Sequence, residues 1–350
     1  MATVLDHLPA AVRALAPELD DGWPAEARAD CARCPMAALD GAAPPPWSFS
    51  PEVRCCTAHP SLANFLVGRA LGRGGSSRGA IERRLADPGG VTAWGIDPPP
   101  GYDARYRATV DAGFGRDLSL RCPFWVGGEA SCGVWHDRSS TCRAWSCRHD
   151  AGQLGAVGWS RASFLGSALE SGVAGVLVAR GIAAGRVPEA GPGARAAWPA
   201  WFAWCTDEAL RLEPGDLAPL AAALAPRRAD LVPLRRARRP LPDVLEPAVS
   251  ESVAIAAAGG APGGDVLLTG YSSFDAVRAP RAVFVLLAGL DGKTPWRDAL
   301  AAARAELGDP AWLDEALVRE LYRVGAVRDA AGPEHPDLDV VAATAARWTR

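Results

Sequence analysis

The sequence has almost no lysine: of its 37 basic residues only Lys293 is one, and arginine stands everywhere else. The surplus of Ala, Arg, Gly and Pro reads as a compositional bias and carries no functional meaning. Charge of one sign is also lacking. A net charge of −3 and a pI near 6.0 exclude the overall basic excess that drives binding to nucleic acid or to an anionic membrane surface. No secretory leader is legible, because the opening MATVLDHLPAAVRALAPELDDGW carries an acid early and has no unbroken apolar core. The most apolar run, Val173 to Val178, is far below the roughly 20 residues that span a bilayer. The chain is therefore expected to be soluble and cytoplasmic, with neither membrane nor nucleic acid as a partner.

Familiar catalytic signatures are missing as well. There is no P-loop, no HExxH and no G-x-S-x-G elbow. The Gly-rich GRALGRGGSS, Gly68 to Ser77, follows a helical pattern and lacks the acid expected about 20 residues on, so it reads as a loop rather than a cofactor turn. Cys205, alone among the aromatics of WFAWCTDE, reads as core. His149-Asp150 has the order of a base and its orienting acid, or of a polar turn. No catalytic residue is assignable, and whether the chain is an enzyme stays open.

Cysteine is what the sequence does have. Eight of its nine cysteines lie between positions 31 and 147, with His59 and His136 among them and His149 just beyond. They occur as CARC (Cys31, Cys34), RCCTAHP (Cys55, Cys56), RCPFW (Cys122), SCGVW (Cys132) and TCRAWSC (Cys142, Cys147). In a reducing compartment such a group binds metal more often than it forms disulfides. A C-x-x-C pair lets the chain turn so that both sulfurs face one ion, and four thiolates suit zinc or an iron–sulfur cluster of the 4Fe–4S type. The allocation stays open between two Cys₄ zinc sites, one cluster with spare thiols, and a mixed Cys/His site. Adjacent cysteines such as Cys55-Cys56 are expected to point apart. Trp125, Trp135 and Trp145 stand where they would shield a centre, and Arg54, Arg121, Arg138 and Arg143 where they would offset its charge. The alternative for these tryptophans is ordinary core.

At roughly 100–200 residues per domain, two or three domains are expected. The fold class expected is α+β, mostly α: an irregular, metal-stabilised cysteine-cluster domain at 1–150, a helical region with an Arg-rich linker at 151–240, and a winged-helix-like domain at 241–350. The first part predicts a helix from Val4 to Leu15, helices over Leu62–Leu71 and Ala80–Ala86, and poor periodicity at 102–150. Helical spacing marks the middle, followed by six arginines between Arg227 and Arg239, a basic patch or a solvated linker. In the last part DVLLTGYSSFDAV reads as two strands or a hairpin. Helices follow at Arg281–Leu290, Trp296–Leu307 and Leu313–Val324, with Gly325 as C-cap and a closing strand near Ala326–Asp329.

Cys122-Pro123-Phe124, Cys132-Gly133-Val134-Trp135-His136-Asp137-Arg138 and Cys142-Arg143-Ala144-Trp145-Ser146-Cys147 together resemble the YkgJ-type cysteine-cluster family, described as zinc- or iron-chelating domains. The resemblance covers about residues 31–150. It departs in the 20 residues between Cys34 and Cys55, in Ser139 where a proline commonly stands, and in the long insertion between Cys56 and Cys122. The pattern is distantly similar to that of flagellin lysine N-methylases. That likeness implies an iron–sulfur-assisted enzyme modifying a protein or peptide, against a zinc-stabilised adaptor without chemistry. The C-terminal segment VFVLLAGLDGKTPWRDALAAARAELG, with LVRELYRVGAV, resembles PqqD-like domains, which implies a peptide or protein partner held at a sheet edge.

Overall fold

The computed structural model describes residues 5–19, 34, 37, 48–87, 89–126, 131–146, 149–189, 194–229, 241–247, 255–257, 264–268, 270–272 and 275–330. The chain is α+β and mostly helical. The expected helix from Val4 to Leu15 shrinks to one turn, α1 (Ala10–Arg13). Pro9 is the reason: it has no N–H to give a preceding turn, so residues 5–8 form a turn and the helix begins after it.

Strand β1 (Leu62–Ala63) leads into α2 (Asn64–Arg73), and α3 (Gly75–Ala86) follows after a single break at Gly74. The expected loop at 68–77 is thus almost wholly helix, since only Gly74 and Gly75 take positive φ. Strands β2 (Val91–Thr92) and β3 (Gly95–Ile96) complete an antiparallel sheet in the order β1-β3-β2. Helix α4 (Tyr102–Gly113) occupies part of the stretch expected to be irregular. A short hairpin, β4 (Trp125–Val126) with β5 (Ser131–Cys132), precedes the single-turn α5 (Ser140–Arg143).

The helical middle is α6 (Gly152–Ala183), α7 (Ala194–Ala209) and α8 (Ala218–Ala229). One stretch of α6, Gly155–Ala183, is long and apolar enough to cross a membrane, because small Ala, Gly and Ser residues extend the run around Val173–Val178. Half of its most apolar window is buried within the protein. Most of the Arg-rich segment, residues 230–240, lies outside the described residues; within it, Arg228 pairs with Glu18.

One apolar core runs from Leu5 to Leu224 and draws on both the cysteine-bearing stretch and the helical middle. Its tightest seam is α2 against α7. Asn64 caps α2 locally, its Oδ1 accepting from the Phe65 amide at 2.8 Å, and its Nδ2 donates to the Ala93 and Ala174 carbonyls. At Gly68 a Cβ would stand 1.9 Å from the Phe202 carbonyl oxygen, so only glycine lets the two backbones meet there. Thr206 Oγ1 closes the seam by donating to the Phe65 carbonyl at 2.8 Å.

A second core spans Leu245 to Val327. It contains β6 (Leu245–Pro247), β7 (Ile255–Ala257), β8 (Val266–Leu268), β9 (Val277–Ala279), α9 (Val283–Gly289), α10 (Trp296–Leu307), α11 (Glu315–Val324) and β10 (Val327–Asp329). β7, β8 and β9 form an antiparallel sheet in that order, and β10 pairs with β6. The expected hairpin is β8–β9, the three helices fall where helical spacing placed them, and Gly325 caps α11 in the left-handed conformation. β6 and β7 were not foreseen.

The two cores meet where α6 begins. Arg323 donates to both carboxylate oxygens of buried Asp275 (2.7 and 2.8 Å) and to the His149 carbonyl (2.9 Å), while the His149 amide donates to the Tyr271 hydroxyl at 3.1 Å. Gly152, at φ +59°, permits this docking, since a Cβ there would meet the Arg323 carbonyl oxygen at 2.0 Å.

Gly68→Val should force α2 and α7 apart. Overpacking of this kind costs about 1–3 kcal/mol or more, so thermal denaturation should show a clear drop in Tm. A Tm equal to that of the parent would refute the close seam.

Candidate metal centre

The cysteines are gathered by backbone contacts that cross long sequence distances. Cys55 and Cys56 lie in a run of turns that begins after Pro51, and buried Arg54 adopts a left-handed φ of +50° immediately before them. Such a conformation is costly for a side-chain-bearing residue and is held by its surroundings; here the guanidinium stacks 5.6 Å from the centre of the Trp125 ring. The Cys56 carbonyl accepts the Cys122 amide at 2.7 Å, which ties the two segments together. Tyr102 of α4 reinforces the tie, its hydroxyl donating to the Thr57 carbonyl at 2.7 Å with the Leu120 carbonyl at 3.4 Å. The chain then turns back at Cys122, whose carbonyl accepts from the Trp125 amide, and the β4–β5 hairpin sets Cys132 opposite Trp125. A 3₁₀ turn over Trp135–Asp137 and then α5 bring in Cys142.

Electrostatics shows which sulfurs share a neighbourhood. Burial pushes the Cys122 thiol well above its usual range, and the nearby Cys142 and Cys132 push in the same direction. The Cys142 thiol rises to about 12, first through burial and then through Cys132, with Arg138 acting against the rise. A hydrogen bond from Cys55 favours the Cys56 thiolate, but burial and the proximity of Cys122, Cys132 and Cys142 outweigh it and raise the group overall. Cys56, Cys122, Cys132 and Cys142 are thus mutual electrostatic neighbours. Each disfavours ionisation of the others while no cation lies between them. A bound cation reverses that balance and deprotonates its thiol ligands outright. Thiolates are the donor type that zinc and iron–sulfur clusters take.

Arginines crowd the same region. Arg138 lies 3.5 Å from the centre of the Trp135 ring and donates to the Cys142 carbonyl at 3.4 Å. Arg143 donates to the Arg138 and His136 carbonyls; desolvation, with Arg138 and Arg69 nearby, pulls it down to about 10. Fully buried Asp137 holds Arg73 through both oxygens (2.8 and 3.0 Å) and Arg69 at 3.3 Å. These pairs pin α2 to the segment between Cys132 and Cys142.

Of the eight cysteines expected at a centre, Cys31 and Cys147 lie outside the described residues. All seven described cysteines, Cys205 included, are thiols rather than halves of disulfides. Cys34 packs with Ala37, Phe49, Phe114 and Cys55 in a small cluster of its own. Cys55 packs against that cluster and Cys56 against the main core, so the two adjacent side chains face different surroundings, with a hydrogen bond from Cys55 still reaching the Cys56 thiol. Among the described residues no three His, Cys, Asp or Glu side chains are arranged to hold a metal ion as they stand. Cys205 is fully buried in the main core, where burial raises its thiol.

The histidines have other work. His59 sits edge-on to Tyr102 and Phe124, its Nδ1 bonded to the Pro60 carbonyl at 3.0 Å and its Nε2 facing Arg84 Nε at 3.4 Å. His136 is exposed, and the buried His149 ring lies 6.0 Å from that of Tyr271. Trp125 is buried, whereas Trp145 is 44% exposed against Phe114 and shields little. Arg121 is exposed and, with Arg83, Leu118, Pro123 and Trp125, lines a shallow depression of about 450 Å³ that opens beside Cys122. Sequence reasoning missed Tyr102, Asp137, Ser140, Glu170 and His7, whose partners are all distant in the chain. A buried acid inside an apolar helix was the one available signal for Glu170.

Burial drives the proton affinity of His59 down, to a pKa of about 4. The folded protein therefore holds this ring neutral while the unfolded chain protonates it near 6.5. Between those values the unfolded state binds the extra proton, so stability falls as pH drops from about 6.5 towards 4. The full effect is at most roughly 3 kcal/mol. Urea denaturation at pH 7 and pH 5 should show this loss in the parent and a smaller one in His59→Gln; equal losses would refute it.

Searches of family models, of curated proteins and of solved structures each give no match to this chain.

Proposed function

We propose that this chain is a cytoplasmic metal- or iron–sulfur-binding protein whose centre is held by Cys56, Cys122, Cys132 and Cys142. Cys31, Cys34, Cys55 and Cys147 would serve the same centre or a second one. What supports this reading is that backbone contacts bring the segments of Cys56, Cys122, Cys132 and Cys142 together, within electrostatic reach of one another. The motif likeness to YkgJ-type cysteine-cluster domains supports the same reading. A cluster would supply one-electron chemistry, and zinc would supply rigidity. In either case the chain's own part is to gather and orient the sulfurs, exclude water through Trp125, and balance charge through Arg54, Arg138 and Arg143. The depression beside Cys122 is the approach from solvent.

A second reading is favoured by the C-terminal unit. There β7 and β9 each pair on one side only among the described residues, and α9, α10 and α11 share a core with β8 and β9. A winged-helix-like, PqqD-like domain with open sheet edges can take an extended peptide as a further strand. Joined to an iron–sulfur centre, it would make the chain a peptide- or protein-modifying enzyme of the lysine N-methylase type. With zinc it would make the chain an adaptor.

Anaerobic purification with absorbance and metal analysis tests these readings. Iron with acid-labile sulfide and a brown colour support a cluster; a colourless protein with one or two zinc ions supports the adaptor. Cys122→Ser and Cys142→Ser should each lower the metal content and Cys205→Ser should not. Equal loss in all three would argue against this ligand set.

A further inference from the structure

Glu170 is a carboxylate in the wrong place for a side chain with no task. It lies midway along the apolar α6 and is 4% exposed. A buried charge is costly unless hydrogen bonds replace its water. Here one oxygen, Oε1, takes three: from His7 Nε2 at 2.5 Å, from the Ser140 amide at 2.6 Å and from the Ser140 hydroxyl at 2.7 Å. Ser140 opens α5, the single turn that carries Cys142, and no side-chain cap comes from Ser139, the residue before it. The missing cap is supplied by Glu170 from another helix.

The surroundings are shaped for this contact. Gly166 lies one turn before Glu170, on the same face of α6. A Cβ at Gly166 would stand 2.3 Å from Ser140 Oγ and 2.5 Å from Ser140 Cβ, so α5 sits in a notch that the glycine opens and the carboxylate lines. Thr141 Oγ1 adds a contact to Ser167 Oγ at 3.2 Å. His7 is fully buried and reaches Glu170 from the N-terminal segment, whose backbone is held by Arg69 donating to the His7 carbonyl. Its Nε2 donates to the carboxylate, and its Nδ1 has no hydrogen-bond partner among the described residues.

We infer that Glu170 and His7 are a positioning pair that fixes α5 in the Gly166 notch and so sets the Cys142 sulfur in the ligand cluster. This rests on the metal-binding reading above. Outer partners that orient a ligand typically change metal affinity by 10–100-fold when lost, and Glu170 would act in this way through the backbone that carries the ligand.

The test is an anaerobic titration of the full-length, metal-stripped protein with Co(II), following the thiolate-to-cobalt absorption. Glu170→Ala should weaken binding about 10–100-fold and lower the band towards that of Cys142→Ser. Glu170→Gln keeps an acceptor for Ser140 and should recover most of both. Should Glu170→Ala fail to fold, Gly166→Val gives the same reading, because it fills the notch while leaving the carboxylate in place. A folded Glu170→Ala protein with the parent's affinity and spectrum would overturn the positioning role alone. A parent protein without the thiolate band would overturn the metal reading and this inference with it.

Discussion

Cys56, Cys122, Cys132 and Cys142 lie within electrostatic reach of one another, and burial together with that proximity makes them resist ionisation as a group. Burial and mutual repulsion keep the Cys122 and Cys142 thiols protonated to high pH. The chain answers with guanidinium groups rather than ammonium groups. Arg54 and Arg138 lie on tryptophan faces, and Arg143 donates to the Arg138 and His136 carbonyls. Planar, weakly hydrated guanidinium tolerates such half-buried sites better than lysine would. Arg138 favours the Cys142 thiolate against the burial that opposes it.

The corner is rigid because a helical frame stands behind it. Gly68 lets α2 meet α7 backbone to backbone, and the same α2 carries Arg69 and Arg73 to Asp137. The hairpin and α5 are thereby anchored to a helix whose own position is fixed by close packing. α6 contributes from the other side through Gly166 and Glu170. The short and irregular pieces that carry the cysteines thus borrow order from three long helices, which explains how a stretch rich in proline and glycine holds four residues in register.

Much of the C-terminal unit was legible because its signals are local. Trp296 to Leu307 shows helical spacing from end to end, and Gly325 follows the last apolar position of α11. The cysteine motifs were legible in the same way, as residue types at short spacing. What could not be read depends on contacts between distant residues. α4 buries Tyr102 but presents little apolar stripe, so no periodicity marked it. GRALGRGGSS read as a loop because it failed the pattern of a cofactor turn, whereas it is helical and its Gly68 is there for α7. Pro9 was a visible stop signal that the apolar pattern around it masked. The link from His7 to Glu170 spans 163 positions and leaves no trace in sequence spacing.

The joint at Gly152 has a practical bearing on how this chain can be dissected. The last turn of α11 and the first turn of α6 share one contact surface, so cutting the chain near residue 240 does not separate two finished bodies. Either piece expressed alone would bear a raw face: Asp275 and Arg323 on one, the backbone around His149 on the other. Loosening of the C-terminal helices would be felt first at the backbone around His149 and Gly152, where Arg323 is seated.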